Sequence, residues 1–239
     1  MDLNVDLGEL EDEPEALFSI ATVANVACGG HAGGGALLAR TLDRAKRAGV
    51  RVAAHPSYPD RSGFGRVPRF CQPGEAREAI EKQCRTLVAA ARARGLTVAS
   101  VKPHGALYHD AAADPAYAEA LLDAAAAAIS SLRSIVGPPD SRLEIGTRQR
   151  GLAYEREGFV DRRYDDGFRL VPRSRHDALL TDPETCVSQA LMLARVGRFE
   201  TLCMHGDTPG AVAIGVAVRR ALDKGGFLAR RGVADRPRR

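Results

Sequence analysis

Four of the six histidines in this 239-residue chain, His31, His55, His104 and His205, stand at or just beyond the ends of short apolar runs. Acids and a lysine accompany them: Asp6 and Glu9 close the first run, Lys102 and His104 frame KPH, Asp161-Arg162 close a later run, and His205 opens HGDTP. Imidazoles exchange protons near neutrality, carboxylates accept them, and an ammonium group stabilises negative charge developing on oxygen. Asp6, Glu9, His55, Lys102, His104 and Asp207 are therefore the candidate catalytic set. Asn25, His31, Ser57, Arg66, Asp161, Arg162 and His205 offer hydrogen bonds with which to hold a small polar substrate. Asp6, His31, His55 and His205, joined by Asp207, could alternatively give a divalent ion mixed nitrogen and oxygen ligands, although no compact motif such as HExxH is present.

Taken singly, each of these residues reads as well as a satisfied hydrogen-bonding side chain. Their recurrence at successive run ends is what favours chemistry. Lys102 follows the apolar TVASV, where burial would lower its pKa or force it to pair with a carboxylate, so a structural ion pair is its competing reading. Cys28, three residues before His31, reads as a packing residue ahead of a nucleophile. The GGHAGGG segment leads into a helix and would suit an anion, but it has neither P-loop nor GxGxxG spacing, and a simple chain turn explains it equally well.

A rim of this kind needs elements that all end on one face. Short β-branched runs alternate with longer helical patterns, the signature of successive βα units around a parallel sheet, whose chemistry gathers at the strands' C-terminal ends. Strands are expected near Leu3–Asp6, Thr22–Cys28, Val50–His55, Thr97–Lys102, Leu143–Gly146, Phe159–Asp161 and Thr201–His205. Helices are expected over Gly35–Ala48, Pro73–Arg94, Pro115–Ile129, Pro183–Val196 and Pro209–Leu222, several of them opened by proline. The Ala124–Ala128 run needs no role beyond a closely packed helix face. Residues 161–180, with an Asp166-Gly167 turn, suit a hairpin or an ordered loop. The expectation is an α/β chain, residues 1–239 forming a single TIM-like (β/α) barrel of about seven strands, with residues 230–239 an Arg-rich flexible tail.

Composition excludes several classes of function. A net charge of +4 spread among interspersed acids forms no basic stripe, which argues against nucleic acid. No apolar run reaches membrane-spanning length, and the acidic start MDLNVDLGELEDEPE is unlike a signal peptide. Five cysteines, odd in number and without CxxC spacing, suit a reducing compartment, so a cytoplasmic protein is expected.

Six segments in order, DLNVDLGE (2–9), NVACGGHAGG (25–34), AHPSYPDRSGFGR (54–66), VKPHGALYH (101–109), DRRYDDGFRLVPR (161–173) and HGDTPGAV (205–212), resemble the LamB/YcsF family of lactam-utilisation proteins across nearly the whole chain. The resemblance implies a (β/α) barrel related in shape to polysaccharide deacetylases. It also implies an ATP-dependent 5-oxoprolinase activity, opening 5-oxo-L-proline to L-glutamate with ATP as co-substrate and with partner subunits B and C. Under it, Asp6, Glu9, His55 and Asp207 would position and deprotonate groups around the lactam, while Lys102 and His104 would stabilise charge on oxygen or phosphate. A metal-dependent amidohydrolase or deacetylase, a non-catalytic lactam-binding subunit, and a homo-oligomer all stay open. The family ordinarily has GFHAGDP where this chain has GGHAGGG, which places Gly30 and Gly34 where a bulky apolar residue and a carboxylate are usual.

Overall fold

The computed structural model describes residues 1–229; the tail expected at 230–239 lies outside the described residues. Seven parallel strands, β1 (Asp2–Leu7), β2 (Val23–Ala27), β3 (Arg51–His55), β4 (Val98–Val101), β5 (Ser134–Gly137), β6 (Ala153–Phe159) and β7 (Thr201–His205), pair in chain order, and β7 closes on β1. Among the described residues eight helices surround them: α1 (Ala16–Ile20), α2 (Gly35–Ala48), α3 (Pro73–Arg92), α4 (Gly105–Ala113), α5 (Pro115–Ala128), α6 (Arg142–Gln149), α7 (Pro183–Val196) and α8 (Ala211–Lys224).

Strand alternation sorts the side chains. Leu3, Val5 and Leu7 of β1 join Ala24, Val26, Val52, Ala54, Leu202 and Met204 in the apolar layer beneath the helices. The alternate residues Asn4 and Asp6 point the other way: Asn4 reaches Glu157 of β6, and Asp6 reaches Lys102 beyond β4. Neither pair of strands is adjacent, so both contacts cross the barrel interior. The core that holds the fold is thus the shell between sheet and helices, while the interior is polar.

Helix ends follow their sequence signals. Asp114 and Asp182 accept hydrogen bonds from Ala116 N and Thr185 N ahead of a first-turn proline, and α2 and α7 stop at the left-handed glycines Gly49 and Gly197. The alanine run of α5 buries Ala124 and Ala125, and α5 packs on α3, as a small-residue helix face should.

Two strand expectations are corrected. Leu143–Gly146 lies in α6, because Ser141 caps that turn by accepting from Glu144 N, and the fifth strand is the four-residue SIVG just upstream. The sixth strand runs over Ala153–Phe159, leaving Asp161 in the loop that follows, although Phe159–Asp161 was expected. The short helices α1 and α4 carry too few residues to show a period. Residues 161–180 form an ordered double-back, with antiparallel bridges Arg162–Leu179 and Tyr164–Leu170 and a turn in which Gly167 N donates to Asp165 Oδ1.

Candidate active site at the barrel mouth

The deepest polar layer is built on Lys102, which is 2% exposed. Its Nζ donates to Asp6 Oδ1 at 2.8 Å and lies 3.1 Å from Glu157 Oε1, 2.9 Å from Cys203 Sγ and 3.4 Å from Asn4 Oδ1. Asn25 Nδ2 donates to Asn4 Oδ1 and Asp6 Oδ1, tying β2 to the same group. Burial alone would pull the ammonium pKa down, but Asp6, with Cys203 and Glu157 beside it, holds it well above the ordinary lysine value. The Cys203 thiol is itself pushed well up by burial and stays protonated, so the balancing charge comes from the two carboxylates. Burial would likewise raise the Asp6 carboxyl, yet His55 and Lys102 hold it well below the usual range.

Above this layer three histidines surround Glu9. His55 closes β3; its Nδ1–H donates to Lys102 O at 2.8 Å, which turns Nε2 toward Asp6 Oδ2 (3.4 Å) and Glu9 Oε1 (3.7 Å). His104, at the N-cap of α4, donates from Nε2 to Phe64 O at 3.0 Å, which leaves Nδ1 3.1 Å from His55 Nε2 and 3.2 Å from Glu9 Oε1. His31 stacks on His104 with centroids 3.6 Å apart and brings Nε2 to 2.8 Å from Glu9 Oε1. Burial pushes His31 down to about 4 against the pull of Glu9, and it lowers His104 as well. Burial would raise Glu9, but His104 and His31 hold it well below the usual carboxylate range.

The loop after β3 covers these rings. Phe64 meets His31 and His104 edge-on, Arg66 lies over the Phe64 ring at 4.6 Å, and Ala106 N donates to Gly65 O. That approach needs a bare backbone at Gly105, which has φ +59 and where a Cβ would sit 2.4 Å from Gly65 O. The glycine at 30 has a comparable cause: a Cβ there would meet Ser57 Oγ at 2.4 Å and Gln83 Oε1 at 2.5 Å. Gln83 fills that room, accepting from Ser57 N and donating to Ser57 O.

His205 closes β7 with Nδ1 at 3.0 Å from both oxygens of Asp161, which also accepts from His205 N and Thr208 Oγ1. Burial would lower the imidazole pKa, but Asp161 raises it, and with Nδ1 committed Nε2 is the free nitrogen. Ligand atoms of Asp6, Cys203 and His205 lie within 4.8 Å of one another, as do those of Glu9, His31, His55 and His104. Of the metal candidates expected from the sequence, Asp6 and His205 fall in the first of these groups and His31 and His55 in the second, while Asp207 is in neither.

The remaining expected residues stand apart from the histidines. Asp207 pairs with Arg66 (3.0 Å) and Arg173 (3.2 Å) at the rim. Ser57 spends its hydroxyl on Tyr58 O. Arg162, 6% exposed, donates from one terminal nitrogen to Val171 O and has no partner for its buried Nε. Asn4, Glu157, Cys203 and the Phe64 carbonyl were missed from sequence; Asn4 had a signal, since it precedes Asp6 by the strand period of two. Grooves of about 390 Å³ beside α1 and α8 and about 400 Å³ along α3 lie far from this mouth.

The chain matches known proteins along nearly their whole length. The chain is 42% identical over 239 residues to the 5-oxoprolinase A subunit of Methylococcus capsulatus, covering 93% of this chain and 92% of that protein. It is 40% identical over 247 residues to the protein of the same name from Chloroflexus aggregans, covering 96% and 98%. The crystal structure of the lactam utilization protein from Thermus thermophilus superposes with a TM-score of 0.88 at 35% identity, covering 97% of this chain and 99% of that one. With the LamB/YcsF family profile matching residues 1–234, the chain belongs to the LamB/YcsF family.

Proposed function

We propose that this chain is one component of an ATP-dependent 5-oxoprolinase that opens 5-oxo-L-proline to L-glutamate together with subunits of the B and C type. The observation that carries the reading is the enclosed array of His31, His55 and His104 around Glu9 and Asp6, in a chain alike over nearly its full length to proteins named as the A subunit of 5-oxoprolinase. A five-membered lactam is a stable amide. Phosphoryl transfer from ATP to its carbonyl oxygen, releasing ADP, would make the carbon electrophilic; one water then adds and the C–N bond opens with a proton delivered to nitrogen, leaving a γ-glutamyl phosphate that a second water hydrolyses to glutamate and phosphate. His55 and His104 are the groups to move those protons, and Asp6 and Glu9 set their polarity. Arg162, with its unpartnered Nε, suits the substrate carboxylate, and the Arg66–Asp207–Arg173 group guards the rim. The sequence has no P-loop, so the nucleotide is held jointly with the partner subunits. Five free cysteines suit a cytoplasmic setting, and among the described residues no helix is long and apolar enough to cross a membrane.

The test is glutamate release from 5-oxoproline with and without ATP, using the chain alone and the chain reconstituted with B and C subunits. Release should require ATP and all the subunits, and ATP turnover by the chain alone should be negligible. The two ligand clusters favour a second reading, a metal-dependent amidohydrolase acting on a small amide or sugar. ATP-independent release by the chain alone would establish that reading and overturn the first.

A further inference from the structure

We propose that Glu9, His31, His55 and His104 form a site for a single divalent transition-metal ion of the zinc type. The case rests on counting hydrogens. A carbonyl oxygen can only accept, so His55 must carry its hydrogen on Nδ1, facing Lys102 O, and His104 must carry its hydrogen on Nε2, facing Phe64 O. The inward nitrogens, His55 Nε2 and His104 Nδ1, then present lone pairs to each other across 3.1 Å. Glu9 Oε1, also an acceptor, lies 3.2 Å from one and 3.7 Å from the other, and Asp6 Oδ2 lies 3.4 Å from His55 Nε2. A neutral His31 can give Glu9 Oε1 one hydrogen from Nε2, but no neutral ring places a hydrogen between His55 Nε2 and His104 Nδ1 or between His55 Nε2 and Asp6 Oδ2, all of them buried, so something positive belongs there.

One added proton would bridge a single pair and leave the other acceptors opposed, whereas a metal ion engages His55 Nε2, His104 Nδ1 and Glu9 Oε1 together, with Asp6 a charged neighbour outside the set. His31 Nε2, 2.8 Å from Glu9 Oε1, completes the set. A tetrahedral ion with bonds of about 2.05 Å separates its ligand atoms by about 3.4 Å, and the measured spacings bracket that value. Three imidazoles and one carboxylate suit zinc and its neighbours better than magnesium or calcium. The backbone carbonyls behind His55 and His104 are the outer partners that metal-bound histidines ordinarily have, since they fix each tautomer with its lone pair inward. In GGHAGGG, a sequence pattern with no metal spacing of its own, the glycines let His31 reach the group.

The inference bears on the same rings to which the proposed ring opening gives proton transfer: with an ion bound, the inward nitrogens of His55 and His104 hold it and do not move protons. Its test uses neither substrate nor partner subunits, so its failure is distinguishable from failure of the ATP reading. The full chain, stripped with chelator and dialysed, is titrated with Zn²⁺ by calorimetry, and with Co²⁺ while its visible ligand-field bands are recorded. One ion per chain should bind, with tetrahedral-type cobalt bands and a rise in melting temperature. His104→Gln and Glu9→Gln, each checked for folding by circular dichroism, should each weaken Zn²⁺ binding on the order of 100-fold or more. His205→Gln, in the neighbouring Asp6–Cys203–His205 group, should leave affinity within about threefold, because that group is a separate constellation. Failure of the wild-type chain to bind Zn²⁺ stoichiometrically would overturn the proposal. So would undiminished binding by the folded His104→Gln and Glu9→Gln variants, or loss of binding in His205→Gln.

Discussion

Replacing Lys102 by methionine keeps most of the stem volume and removes one buried positive charge. The ammonium lies 2.8 Å from Asp6 and 3.1 Å from Glu157, so its loss leaves two carboxylates facing each other inside the barrel. Breaking a buried ion pair from one side costs about 3–5 kcal/mol. The molecule can limit the penalty by protonating one acid, and holding a carboxyl of ordinary pKa near 4 in its neutral form at pH 7 costs about 4 kcal/mol, so the two routes agree. For a chain of this size each kcal/mol moves the melting temperature by about 2–4 °C, which gives a fall of roughly 8–16 °C at pH 7. At pH 5 the same protonation costs only about 1.4 kcal/mol, so most of the deficit should vanish. The double variant Lys102→Met/Glu157→Gln should recover more than half of the loss at pH 7. Calorimetry at both pH values, with far-UV circular dichroism, reads these effects. A fall of less than about 2 °C at pH 7, or an equal fall at pH 5, would show that Lys102 does not compensate the two acids.

Burial raises Glu13 to about 7, so its contribution to stability is fully present below pH 4.5 and is lost as pH rises through about 7. Glu13→Gln should therefore gain up to about 3 kcal/mol on the wild type between pH 5 and pH 8 in denaturant titrations, and parallel pH profiles would refute the burial argument. Arg162→Met should raise KM for 5-oxoproline about 10- to 100-fold in the reconstituted enzyme with less effect on kcat, as loss of a charge-assisted hydrogen bond to bound substrate requires; a pure kcat effect would exclude that contact. Gly105→Ala should cost at least about 1–3 kcal/mol of stability from its left-handed backbone and the clash with Gly65 O, read as a lowered melting temperature; an unchanged value would mean that the covering loop yields freely.

How much of this was legible depends on how each residue is tied down. Asp6, His55, Lys102 and His205 end or directly follow strands whose apolar alternates mark them, so their place at the mouth follows from the strand period. Glu157 was lost because AYEREGF carries three consecutive charged residues, Glu155, Arg156 and Glu157, which hide the strand period. A pattern that expects apolar residues inside reads such a strand as loop. The SIVG strand has only four residues, too few to stand out against the better-capped LEIGT beside it. Cys28 reads the same way in both: it is buried with its pKa pushed well up, as an inert packing thiol should be. The role of the Phe64 carbonyl has no sequence signal, because any residue supplies one.

Asp6 joins the two layers, and its oxygens divide the work. Oδ1 accepts from Lys102 and Asn25, while Oδ2 faces His55 Nε2. A carboxylate held this firmly ionised is a poor proton acceptor at neutral pH, so proton transfer in the proposed ring opening falls to the imidazoles. Lys102 then influences the reaction through Asp6, by keeping it charged and in place, without approaching the substrate itself. This distinction is measurable: a positioning role predicts that Asp6→Asn and Lys102→Met share most of their loss of turnover, with a strongly non-additive double variant. An ammonium acting directly on the substrate predicts losses that add.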